Sequence, residues 1–306
     1  MDDPALRLPS VAAIHEQILK TVQNLSADRH VLKQRLAQVR NALGPQASYE
    51  QASEHQVVGL THLRDIAMQQ ASEIGVPAAA VDTAVMRGEQ AKRWQRNQPM
   101  PRATPADRLH LINGLLQHMR EFNNMAAVHR AYIQRFGGSS DNSERYHRAT
   151  LEALHERIGA VAYALRLTPG EQEFVWGHSE YIVKTMTTHY LDGEESDLVA
   201  RWDSTATGAN WVNESQLGEV LRATGITREA IAAAGQLPPT PQALIAALGP
   251  GPSIRGTEAT STPEPGGSEI SSAIDAADLT IDGIDPASPG RDPSAGNDPT
   301  PPGLDP

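Results

Sequence analysis

Ala67-Met-Gln-Gln-Ala-Ser-Glu-Ile-Gly75-Val-Pro77-Ala-Ala-Ala-Val-Asp-Thr-Ala-Val-Met86-Arg-Gly-Glu-Gln-Ala-Lys-Arg-Trp-Gln-Arg-Asn97 is the stretch whose reading decides the fold. It reads as a helix, a tight turn at Gly75-Val76, and a second helix reaching about Asn97 that ends basic. Glycine accepts the left-handed backbone that stops a helix, and Pro77 suits the first turn of the next one. The rest of the chain repeats this order of helix, turn and helix, which predicts an all-α fold.

Before this stretch, Ser10 is placed to cap a first helix. Apolar residues recur at Val11, Ile14, Ile18, Val22, Leu25, Leu32, Leu36, Val39 and Leu43, an amphipathic stripe that Gly44-Pro45 stops. At 1.5 Å per residue the helix runs to about 50 Å. Ser26-Ala-Asp28 is a possible break. Two readings stand for this helix, one arm of an intramolecular hairpin or a self-associating coiled coil. The loss of strict heptads after Leu25 favours the hairpin. Ser48-Tyr-Glu-Gln51 has the form of a capping box for the second helix.

After it, Gln98 to Pro105 is a hinge. A fourth helix starts at Thr104-Pro105-Ala-Asp107 and carries Leu109, Ile112, Leu115, Leu116, Met119, Phe122, Met125, Val128, Tyr132 and Ile133. Gly137-Gly138 ends it. A fifth helix, about Glu144 to Leu167, buries Leu151, Leu154, Ile158, Val161, Ala162 and Leu165. Thr168-Pro-Gly-Glu171 is a capping box that opens a sixth helix fading at Asp192-Gly193. A short helix spans Ser196 to Trp202, and a loop covers Asp203 to Asn210. Helices at about Glu214–Ala223, Arg228–Ala234 and Pro241–Leu248 make a small module, with Trp202 and Trp211 as its expected plugs.

These breaks predict an N-terminal hairpin with a helix-turn-helix-like unit (1–98), a central bundle (104–203), a three-helix module (211–248) and a tail (249–306). In the tail, 20 of 58 residues are Pro or Gly, and Phe, Trp, Tyr and Lys are absent. Such a segment buries too little apolar surface to offset chain entropy, so disorder is expected. Ile270, Ile274, Leu279, Ile281 and Ile284, set among acids, form a candidate partner-binding motif within it.

The chain of 306 residues has a formal net charge of -11. Residues 249–306 hold ten acids and two arginines, a net of -8. The first 248 residues therefore hold 24 basic and 27 acidic residues, a net of -3. Broad nucleic-acid binding is disfavoured by this balance. There is no cysteine, so disulfides, thiolate metal sites and cysteine nucleophiles are excluded. No secretory signal is read at the N-terminus and no apolar run reaches membrane-helix length, so a cytoplasmic protein without a membrane partner is expected.

The spacing around Gly75 matches that of DNA-binding helix-turn-helix units: Ala71 is small, and Val76 and Val81 are apolar. Gly225 repeats it with Leu221, Ile226 and Ile231. The face that would meet a groove, Pro77, Ala78, Ala79, Asp82, Thr83 and Met86, carries no reader of base edges. Residues 77–110 nevertheless hold six basic residues against three acids. Arg87, Lys92, Arg93, Trp94 and Arg96 are the candidate nucleic-acid contacts, aimed at backbone and not at sequence.

Glu144-Arg-Tyr-His147 and Glu152-Ala-Leu-His155 have the Glu-x-x-His spacing of di-iron bundles. Both lie on one helix, eight residues apart, and cannot face one metal pair, so no metal or other cofactor is expected. No phosphate loop, nucleophile elbow or dinucleotide fingerprint occurs. Tyr190-Leu-Asp-Gly-Glu194 resembles the Tyr-x-x-x-Glu export signal of helical-hairpin substrates of actinobacterial type VII secretion, without that family's Trp-x-Gly turn. The expected function is a non-enzymatic helical binding or scaffold protein that engages a protein partner or itself through helices, with a possible DNA-associated role. The alternatives are a metal-binding bundle or enzyme, and more remotely an assembly or secretion-related protein.

Overall fold

The computed structural model describes residues 9–44, 47–96, 98–101, 106–138 and 142–247, which form helices, turns and short connections with no strand among them. α1 (Val11–Leu43) is one unbroken helix. The Ser10 side chain accepts from the Ala13 N–H at 3.2 Å, as a cap should. Ser26 causes no break, because its hydroxyl donates back to the Val22 carbonyl at 2.8 Å. α2 (Ala47–Glu73) returns along α1 and forms the hairpin.

α3 (Ala78–Glu89) also lies on α1, and α2 and α3 touch each other little. Gly88 explains the close crossing. A Cβ there would sit 2.5 Å from the Gln23 carbonyl oxygen and closer still to the Ser26 Cβ. α3 ends at Glu89, eight residues before the expected end. Two features stop it: Ala91 adopts φ 58°, and side chains of α1 capture the backbone that follows. Gln23 donates to the Lys92 carbonyl at 2.9 Å, and Asn24 accepts from the Trp94 N–H at 2.9 Å. Asn97 lies outside the described residues.

α4 (Arg108–Phe136) is capped by Asp107, whose carboxylate accepts from the Leu109 N–H at 3.0 Å. The cap expected at Thr104 lies outside the described residues. α5 (Asn142–Leu165) is the central helix, with 14 of its 24 residues buried. α4 and α9 pack against it.

The single sixth helix of the sequence reading is two. α6 (Pro169–Trp176) has the Thr168–Glu171 capping box, and α7 (Ser179–Asp192) follows after Gly177-His178. The break lets buried Ser179 accept from Asn123 of α4 at 3.2 Å. α8 (Glu195–Thr205) and α9 (Gly208–Arg222) leave only two residues between them where a loop was expected. Thr207 starts α9 early by accepting from the Asn210 N–H at 3.2 Å. α10 (Arg228–Ala233) and α11 (Pro241–Ala246) carry the threonine caps Thr227 and Thr240.

One continuous core links α1–α3 to α9–α11. Trp202 is buried in it, stacked on His147 and Tyr132 of the central helices instead of plugging a C-terminal module. Trp211 is half-buried and faces Tyr146. The far ends of α1 and α2 differ from this body. Of the residues 31–42 and 48–60, Ser53 alone is buried. This two-helix arm closes with Arg40, which forks onto Glu50 at 2.9 and 3.1 Å.

Candidate functional site

The Gly75 turn forms as its spacing requires. Gly75 has φ 83°, the Val76 N–H bonds the Ala71 carbonyl at 2.8 Å, and Ala71, Val76 and Val81 are buried. A Cβ at Gly75 would lie 2.7 Å from Leu111 Cδ1 of α4, so the turn is packed into the body. Gly225 repeats the arrangement at φ 89° with Leu221, Ile226 and Ile231 buried. On α3, Ala78, Ala79, Asp82 and Met86 are exposed and offer no base-reading group.

The basic segment after α3 is extended and crosses α1. Arg87 is half-buried in the last turn of α3. Lys92 is exposed and donates to Gln90 at 2.9 Å. Arg93 is exposed and ion-paired with Asp28. Trp94 is half-buried against the core, and Arg96 is exposed. Lys92, Arg93 and Arg96 are thus all exposed, and Trp94 is turned partly inward. Ile270, Ile274, Leu279, Ile281 and Ile284 lie outside the described residues.

The strongest concentration of charge inside the body was not visible in the sequence. Arg157 of α5, with a side chain 4% exposed, donates to Glu214 of α9 at 2.8 Å and to Glu73 of α2 at 2.9 Å. His118 Nε2 of α4 lies 3.0 Å from the same guanidinium. Gln69 and Gln70 donate to Glu73 at 2.9 Å each. Burial alone would lower the Arg157 pKa, but the Glu73 and Glu214 carboxylates more than offset this and hold it above its ordinary value. Burial, together with the Arg157 charge, keeps His118 below its ordinary value. Four helices meet at one paired cation, which suits a structural lock. The pattern is invisible locally because each partner lies on a different helix.

A second buried group surrounds Trp202. His147 stacks on its ring at 4.5 Å between centroids, and His129 lies 5.2 Å from His147. Neither nitrogen of His147 has a partner, and Nδ1 of His129 has none. Burial pushes His129 down to about 4 and His147 down to about 3. His155 Nε2 donates to the Pro238 carbonyl, 3.0 Å away. The histidines of the two Glu-x-x-His motifs are therefore packing residues, while Glu152 is exposed. Among the described residues no three His, Asp or Glu side chains converge as a metal would require.

Tyr190 is buried at the end of α7 and donates to Asn124, so the folded chain does not display its ring. Among the described residues no helix is long and apolar enough to cross a membrane. Compared with known proteins, the chain matches no family model, no curated protein and no solved structure.

Proposed function

We propose that this chain is a non-enzymatic helical binding protein that engages a helical protein partner through the two-helix arm. One observation carries the reading. The arm's seam, Leu32, Leu36 and Val39 on α1 with Val57 and Leu60 on α2, stays half-buried, whereas equivalent residues in the body are covered. Val31 and Val58 remain 50% and 66% exposed. Two helices cannot enclose a shared seam. A partner helix laid along it would remove apolar surface from water at about 25 cal/mol per Å².

Affinity purification of the full chain from its native host tests this, scoring protein and nucleic acid together. Val31→Glu with Val58→Glu should leave stability within about 0.5 kcal/mol, since both sites are exposed. The double variant is expected to lose a protein partner that the wild type holds. Retention of the same partners by both forms would defeat the reading. A DNA-associated role is the second reading, supported by the exposed Lys92, Arg93 and Arg96. It requires salt-sensitive duplex binding that is lost when all three become Ala, and no binding at low salt would end it.

A further inference from the structure

Few residues hold α8 to the body. It packs chiefly on α4, and of its side chains only Leu198 and Trp202 are buried. They lie four residues apart, on one face of the helix. Trp202 closes a socket of rings. His147 of α5 stacks on it at 4.5 Å and Tyr132 of α4 at 4.2 Å between centroids, and His129 of α4 lies 5.7 Å away. His147 is fully buried and neither of its nitrogens has a partner, nor has Nδ1 of His129. The charged groups near the pair are Arg130 on α4 and Glu144 and Arg148 on α5, and Glu144 already accepts from Arg148 at 2.5 Å. α11 lines the side of His129 with Pro241 and Ile245 and brings no titratable group there. From α8 the pair meets the Trp202 indole.

We propose that α8 is an acid-released cap: when His129 and His147 take up protons, Trp202 leaves its socket and α8 lifts from α4, while α4, α5 and α9 stay folded. An imidazolium needs acceptors at both N–H groups, and the rings that enclose His147 supply none. Two imidazolium rings 5.2 Å apart also repel each other. Stacking on aromatic faces favours a charged ring, but a cation–π contact offsets only a small part of the cost of burying an unpaired charge. Lifting α8 uncovers both histidines at the loss of two buried side chains, a smaller change than opening the packing of α4 on α5. Burial holds both histidines well below their ordinary value in the closed form, so protons favour the open one. The device is separate from the arm and does not depend on its binding role.

The test uses the full chain with Trp94→Phe, Trp176→Phe and Trp211→Phe, which leaves Trp202 as the single tryptophan. Its emission and its quenching by acrylamide are followed from about pH 7.5 to about pH 4.5, beside far-ultraviolet circular dichroism. The open fraction, read as red-shifted and quenchable emission, is expected to rise by up to about a hundredfold per pH unit, the effect of two protons, before the helical signal of the body is lost. His147→Phe keeps a ring on Trp202 and should cut this to about tenfold. His129→Phe with His147→Phe should keep Trp202 shielded over the whole range. Amide exchange of the unsubstituted chain at about pH 5 gives a second readout, in which α8 should exchange far faster than α4 and α5. Trp202 exposure that appears only as the whole fold melts, release unchanged in the double variant, or equal protection of α8, α4 and α5 would each overturn the proposal.

Discussion

Arg157→Met is expected to destabilise the folded chain by about 3–5 kcal/mol, measured by chemical denaturation at neutral pH. The substitution removes the one cation that Glu73 and Glu214 share and leaves two largely buried carboxylates facing each other. Their side chains are 16% and 13% exposed, so water screens them poorly. Replacing all three charges together, with Glu73→Gln and Glu214→Leu added, is expected to recover much of the loss. An apolar substitute of similar volume costs less than an uncompensated buried charge. A single-variant cost below about 1 kcal/mol would show that these helices do not depend on the pairing.

Mild acid is expected to destabilise the protein. Burial lowers His129 and His147 to about 4 and about 3, and it also lowers His15, His118 and His155. Below about pH 6.5 the unfolded chain takes up protons on these histidines more readily than the folded chain does. Stability is therefore fully present above that pH and falls as the pH drops toward the folded values. His129 and His147 each approach a slope of about 1.4 kcal/mol per pH unit below pH 6.5. His129 and His147 alone remove roughly 3 kcal/mol between pH 6.5 and pH 5, a large part of an ordinary domain's stability. Denaturation midpoints across this range check it. His147→Phe keeps a ring on Trp202 and should flatten the slope by about one proton. Stability unchanged from pH 7 to pH 5 would contradict the account.

What was legible in the sequence was local. Ser10 and Thr168 cap helices through side chains three residues from the N–H they serve. The apolar stripe of α1 marks one continuous helix, and the Gly75 turn follows from its own spacing. What was not legible depended on distant partners. α3 stops at Glu89 because Gln23 and Asn24 hold the next residues. α6 and α7 part where Ser179 meets Asn123. Trp202 finds His147 and Tyr132, which no periodicity around Trp202 announces. The Arg157 lock gathers residues from α2, α4, α5 and α9, and each is an ordinary polar position on its own helix.

The arm was legible in part for the same reason. The stripe Leu32, Leu36 and Val39 predicts burial, and only the fold shows that these residues stay half-buried. Helices joined by one half-buried seam open locally more readily than a packed core. Amide hydrogen exchange of the full chain, free and in the assembly isolated from its host, tests the binding role most directly. The account predicts that residues 30–42 and 48–60 exchange faster than α4 and α5 in the free chain and become protected in the assembly. Protection confined to residues 87–96 or to the body, with the arm still exchanging fast, would contradict it.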